Sequence, residues 1–322
     1  MSTVAVNSVR FHPTLPQLVL AMGDGSVQIR STEGSLARSW STRKQGYLSS
    51  VDILPGGEQL VVAGSTGRVR LWSWKGVEGE LKLADAASVT IVRVTPKPLG
   101  RILAGSPDGS LWIWPQRGGG RKSLEGHRGG TMALAAHPDG ERFASSGADG
   151  RVRFWSQAGE EISKAAVSKL ALLTLGYSPD GKLIGAGGLE GQLILLNERG
   201  RIQHRFPTYQ AGITALGFVP GQDLVATAGS DGSVKVWDYR GRLLRSEEQA
   251  LGSHLHGLAI HPAGTQLAVG GDGGSLRLVR ISDLNGLLRS GCQWLHDSLQ
   301  REASFMDLRK DCQTIPQEST GR

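Results

Sequence analysis

Cysteine is scarce, and where it occurs it does little to hold a fold. Cys292 and Cys312 both fall in the last 31 residues, so the rest of the chain has neither a disulfide framework nor a four-thiolate metal site. Aromatic residues make up only 6%, which together with abundant glycine points to short strands and tight turns and away from a helical bundle. No apolar run approaches the roughly 20 residues of a membrane span, and the opening MSTVAVNSVR lacks the charged and apolar segments of a signal peptide. The chain is expected to be soluble and cytoplasmic, with no membrane contact. Charge clustering is missing too. The net charge is +7, but Lys and Arg stand mostly singly between apolar residues, the pattern of solvent-facing strand positions, and nucleic acid is not the expected partner.

What is present is a repeat. Of the 46 glycines, one recurs at Gly25, Gly67, Gly109, Gly150, Gly191, Gly232 and Gly274, at intervals of 41 or 42. A proline keeps the same period at Pro13, Pro55, Pro96, Pro138, Pro179, Pro220 and Pro262. Between the two markers lies an apolar run, and after the glycine an alternating run closed by a large residue, as in Leu224 to Asp238 and Phe143 to Ser156. Proline fixes φ and withholds an amide, which ends a strand, and glycine supplies the turn. Each unit reads as four strands, one propeller blade. The fold class predicted is all-β, a seven-bladed β-propeller over 1–281, with a short C-terminal helical tail over 282–322.

At these residues the sequence resembles the WD-repeat family, over roughly residues 4 to 281. The resemblance implies a hydrogen-bonded set of His, Ser or Thr, Asp and Trp that braces a blade. The fourth repeat is the one read as having all four: His127, Ser145, Asp149 and Trp155. Elsewhere the His position falls on Ser2, Lys44, Asp85, Ser168, Tyr209 and Leu251, and the Trp position on Arg30, Trp72, Trp114, Leu196, Trp237 and Val279. A buried indole N–H and a buried carboxylate both need partners, so the set reads as structural. A protease-like reading of Ser145, His127 and Asp149 lacks a nucleophile elbow. The resemblance also implies a ring sealed by a strand from one chain end, for which Thr3 to Val6 is the candidate, pairing as the outer strand of the seventh blade.

The search for chemistry yields little. GGGRKS (Gly118 to Ser123) has the wrong spacing for a phosphate-binding loop and reads as a hairpin. His254, His256 and His261 lie close in sequence, but no second ligand cluster accompanies them, and His261 belongs to an HP turn repeated at His12 and His137. No metal and no cofactor are expected. The inner strands VTIVRV, TMALAA and TALGF bring no acid or histidine to the channel.

From Ser282 to Arg301, apolar residues at Leu284, Leu287, Leu288, Cys292, Leu295 and Leu299 fall on one helical face. This segment resembles the tails of WD-repeat regions in bacterial signalling proteins, which implies a sensor propeller. The predicted function is a monomeric, non-catalytic scaffold or sensor binding other proteins. The alternative is an enzyme or small-molecule binder using the central channel. The candidate partner-binding residues are Tyr47, Arg128, Lys169, Tyr209, His254 and His256, all placed by the repeat at blade-entry loops.

Overall fold

The structure, a computed structural model, describes residues 4–41, 46–74, 76–82, 88–97, 100–115, 120–248, 250–251 and 254–281. Seven antiparallel sheets form from consecutive strands. Blade 1 holds β1 (Val6–Phe11), β2 (Gln17–Met22), β3 (Ser26–Ser31) and β4 (Leu36–Ser41); blade 2 holds β5 (Leu48–Ile53), β6 (Gln59–Gly64), β7 (Arg68–Ser73) and β8 (Gly76–Lys82). Blade 3 holds β9 (Ile91–Val94), β10 (Ile102–Gly105), β11 (Leu111–Trp114) and β12 (Lys122–Leu124). Blade 4 holds β13 (Thr131–Ala136), β14 (Arg142–Gly147), β15 (Arg151–Ser156) and β16 (Glu161–Ala166). Blade 5 follows with β17 (Leu172–Tyr177), β18 (Leu183–Gly188), β19 (Gln192–Asn197) and β20 (Ile202–Pro207). Blade 6 comprises β21 (Ile213–Phe218), β22 (Leu224–Gly229), β23 (Val234–Asp238) and β24 (Leu243–Glu247), and blade 7 comprises β25 (Leu255–Ile260), β26 (Gln266–Gly271) and β27 (Leu276–Arg280). The first strands of neighbouring blades lie against one another right round the ring, with β25 meeting β1.

Each blade packs a blade on either side, so its second strand loses water on both faces. That is why LVATAG of β22 is buried at every position and reads as an apolar run without alternation. The outermost strands β4, β16 and β20 are almost wholly exposed, and their sequences carry correspondingly little apolar signal. In between, β15 alternates, burying Val152 while Arg151 faces solvent.

The glycine period has a steric cause. Gly109 and Gly150 adopt φ of +94° and +67° in the turn between the second and third strands, a region open to glycine at little cost. A Cβ there would sit 1.9 Å from the His127 carbonyl oxygen and 2.1 Å from that of Ser168. The loop entering the next blade lies directly on the turn: the His127 amide donates to Gly109 O at 3.1 Å and the Ser168 amide to Gly150 O at 3.0 Å. Thr208 on Gly191 and Ala250 on Gly232 repeat the contact. The period therefore marks blade-to-blade stacking as well as the turn itself.

Ring closure differs from the sequence expectation for Thr3 to Val6. Val6 opens β1, the inner strand of blade 1, where it pairs with Met22, and Val4 and Ala5 lie outside any strand. Among the described residues blade 7 has three strands. Val4 acts instead as an entry loop, its carbonyl so near Gly274 that a Cβ there would lie 2.6 Å from the oxygen. Blades 1 and 7 share an apolar cluster of Val6, Val9 and Phe11 with Ala259 and Ala268, and Val4, Leu276 and Leu278 pack against it. Thr3 itself, Gly118, Gly119, and the tail from Ser282 onward with Cys292 and Cys312 lie outside the described residues.

A second regularity shapes the channel. In six inner strands the register slips at the second residue, between Val6 and Ser8, Leu48 and Ser50, Thr131 and Ala133, Leu172 and Thr174, Ile213 and Ala215, and Leu255 and Gly257. Such a bulge takes the skipped residue out of the ladder and re-aims its side chain. Asn7, Met132, Leu173, Thr214 and His256 are residues of this kind, and all five line the central space.

Candidate functional site

Blade 4 contains a complete relay of buried polar groups. Trp155 Nε1–H donates to Ser145 Oγ at 2.9 Å, and Ser145 Oγ and His127 Nε2 are 2.8 Å apart. His127 Nδ1 lies 2.8 Å from Asp149 Oδ1. One proton arrangement gives every group a partner: the Ser145 hydroxyl donates to His127 Nε2, and Nδ1–H donates to the carboxylate. Ser145 is fully buried, with its lone pair taken by the indole and its proton by His127. A hydroxyl so engaged has no approach for a substrate, so this trio is a brace.

Burial lowers the pKa of His127 from its ordinary value, outweighing the opposing pull of Asp149. Neutral His127 is also what the relay requires, since a protonated ring has no acceptor for Ser145. The folded state thus resists protonation that the unfolded chain accepts, so this stability is full above the ordinary histidine pKa of about 6.5 and fades as pH falls below it. Wild-type protein is expected to lose melting temperature between pH 7.5 and 5.5 faster than His127→Gln, which cannot titrate. Equal losses in thermal melts of the two would contradict this.

Blade 6 builds the same relay from different residues, which corrects the expectation that one blade alone is fully braced. Trp237 Nε1–H donates to Thr227 Oγ1 at 3.0 Å, and the Thr227 hydroxyl donates to Gln210 Oε1 at 2.7 Å. Gln210 Nε2 donates to Ser233 Oγ at 3.0 Å, and the Ser233 hydroxyl donates to Asp231 Oδ1 at 2.6 Å. Gln210 therefore holds the place that strict register assigns to Tyr209. An amide carries both an acceptor and donors, so it can replace a neutral imidazole in the chain. Displaced by one position, Tyr209 is turned outward, 83% exposed and at φ +56°, the one non-glycine residue at positive φ among those described.

Carboxylates on the turns between second and third strands tie down the entry loops of blades 4 to 7. Asp149 holds His127, Glu190 Oε1 accepts the Lys169 amide at 2.9 Å, and Asp231 Oδ2 accepts the Ala211 amide at 3.3 Å. The Lys169 amide is the main reason that the Glu190 pKa falls below its usual range. In blade 7 Asp272 takes this role, 2.7 Å from His256 Nε2 and 3.6 Å from His254 Nδ1. His261 is not with them; it meets Phe11 edge-on with ring centroids 5.1 Å apart. Among the described residues no group of three or more His, Cys, Asp or Glu is arranged to hold a metal ion.

The HP turns carry a function that sequence reading missed. His12 Nε2 lies 3.0 Å from Gly57 O and His137 Nε2 3.2 Å from Gly181 O, each reaching from its blade to the proline turn of the next. The recurrence of the HP dipeptide was the available signal. The six candidate partner residues all lie exposed. Tyr47, Arg128, Lys169, Tyr209 and His254 stand in entry loops, while His256 is on β25 itself and also lines the channel.

The family model for the WD domain, G-beta repeat, matches residues 120–156 and 200–238, the two stretches that contain the two relays. Four of the other five sheets are likewise four-stranded, and blade 7 has three strands among the described residues. The chain is a WD-repeat β-propeller. No curated protein matches it. In this WD-repeat propeller the family's bracing set is written literally once, in blade 4, and paraphrased once, in blade 6. Among the described residues no helix is long and apolar enough to cross a membrane.

Proposed function

We propose that this propeller is a non-catalytic scaffold that takes protein partners on the face formed by its entry loops. WD-repeat propellers commonly serve protein interaction, and the reading here rests above all on Tyr209. A bulky residue at positive φ costs on the order of 1 to 3 kcal/mol, and such strain gathers at functional positions. Here the strain holds an aromatic ring out in water beside the relay that Gln210 anchors. Leu170 and Leu189 are also exposed on the adjoining loop and turn of blade 5, giving Tyr209 apolar company. Tyr and Arg are the residue types most often central to interfaces, so Tyr47, Arg128, Lys169, Tyr209, His254 and His256 form the proposed contact set. In its finer form the proposal takes the chain as a monomeric, cytoplasmic sensor of a bacterial signalling system, supported by the likeness of the tail sequence.

Tyr209→Gly separates binding from stability, because glycine accepts that φ without strain. Combined with Arg128→Ala, it is expected to melt at or above the parent temperature yet recover much less partner from native lysate. Undiminished recovery would place the interface on another face.

A further inference from the structure

The central channel is not symmetric. Three residues before the turn proline, blades 1, 2 and 3 place Arg10, Asp52 and Arg93, whereas blades 4 to 7 place Ala135, Gly176, Gly217 and Ala259. The result is a cavity of about 440 Å³ with two guanidiniums from blades 1 and 3, and a lining from blades 4 to 7 in which Ala135, Gly176, Gly217 and Ala259 alternate with larger apolar residues such as Leu175 and Leu216. Its volume lies within the range of small-ligand sites. No carboxylate lines it among the residues that form its wall.

The charges do not balance. Asp52, the neighbouring anion, is engaged on both oxygens: Oδ1 accepts from Arg10 Nε at 3.2 Å and Oδ2 from the Val94 amide at 2.8 Å. Arg10 Nη1 donates to Val9 O at 2.8 Å and Arg93 Nη1 to Val92 O at 2.7 Å, with Ser50 Oγ at 3.4 Å. Neither Nη2 meets a protein acceptor among the described residues. Burial, then repulsion from Arg10, brings the Arg93 pKa down to about 9 despite the attraction of Asp52. Arg93 is thus still charged at neutral pH but short of counter-charge. A guanidinium presents its N–H groups as a planar fork that matches the oxygens of phosphate and carboxylate.

We propose that the channel binds a small polyanion of the phosphate or carboxylate class, gripped by Arg10 and Arg93 in the space left where blades 4 to 7 carry Ala or Gly at the matching position. Asp52 orients Arg10 and sets the charge so that one further anion completes the site. Of the proposed protein-contact set, His256 alone also lines this cavity.

Calorimetric titration of the full chain with inorganic phosphate and with citrate, against sodium chloride at equal ionic strength, tests this. Saturable binding of at least one anion is expected, with Arg93→Gln abolishing it. Asp52→Asn leaves one acceptor oxygen, enough for Arg10 or for the Val94 amide but not both, and removes a negative charge; it is expected to tighten binding on the order of tenfold, the scale of one like charge a few ångströms away. Absence of saturable heat in wild type, or equal affinity in Arg93→Gln, overturns the proposal. Should Arg93→Gln fail to fold, unchanged or weaker affinity in Asp52→Asn overturns it equally.

Discussion

Replacing Trp155 by Phe is expected to destabilise the propeller by about 1 to 3 kcal/mol more than replacing Trp72 by Phe, because the first loses a buried hydrogen bond while the second removes an unpaired buried donor. Both indoles are buried, and both variants lose the same ring volume. Their polar ends differ. Trp155 Nε1–H donates to Ser145, whose hydroxyl is fully enclosed, so the Phe variant strips that hydroxyl of one of its two hydrogen bonds and leaves only the one to His127. Trp72 Nε1 has no hydrogen-bond partner, because the position matching Ser145 is Val62, so its Phe variant removes an unpaired donor. Truncation of either Trp to Ala is expected to cost about 3 to 5 kcal/mol through the cavity, a larger change against which the lost bond to Ser145 is harder to read. Urea melts of the two Phe variants decide the matter, and equal midpoints would mean that the relay contributes nothing net.

Deletion of residues 1–6 is the second change with a large expected effect. It removes Val6, fully buried between blades 1 and 7, and Val4, which packs against the same cluster. A buried valine contributes about 1.5 to 3 kcal/mol, and the deletion also uncovers Leu276, Leu278 and Ala268 on blade 7. The truncated protein is expected to melt lower and to form oligomers visible by light scattering. A monomeric product with an unchanged melt would show that closure depends on other residues.

The blade plan was legible because its signals are local. A turn needing positive φ selects Gly150 wherever it occurs, and a strand ended by Pro138 ends there in any context, so a fixed period survives the loss of most bracing histidines. What escaped was set by chemistry across blades. Gln210 does the work of a histidine from a position one residue out of register, and nothing in a linear alignment of repeats ties it to Thr227, seventeen residues away. Asp272 likewise stands one residue before the place where the family carries its Asp. The outer-strand role read for Thr3 to Val6 failed because a short apolar segment fits an inner strand as well as an outer one. The inner strands VTIVRV, TMALAA and TALGF carry no acid or histidine, but Asp52 stands on β5 and His256 on β25. In repeat register, Arg10, Asp52 and Arg93 align with Ala135, Gly176, Gly217 and Ala259, a contrast present in the sequence itself.

That the entry loops, fixed from below by turn carboxylates, are the working surface is tested most directly by amide hydrogen exchange with and without the recovered partner. Protection is expected at residues 46–47, 127–130, 168–171, 208–212 and 254–256, with the proline turns at 13–16, 138–141 and 179–182 unchanged. Protection of the proline turns, with the entry loops exchanging as freely as in the unbound protein, would contradict it.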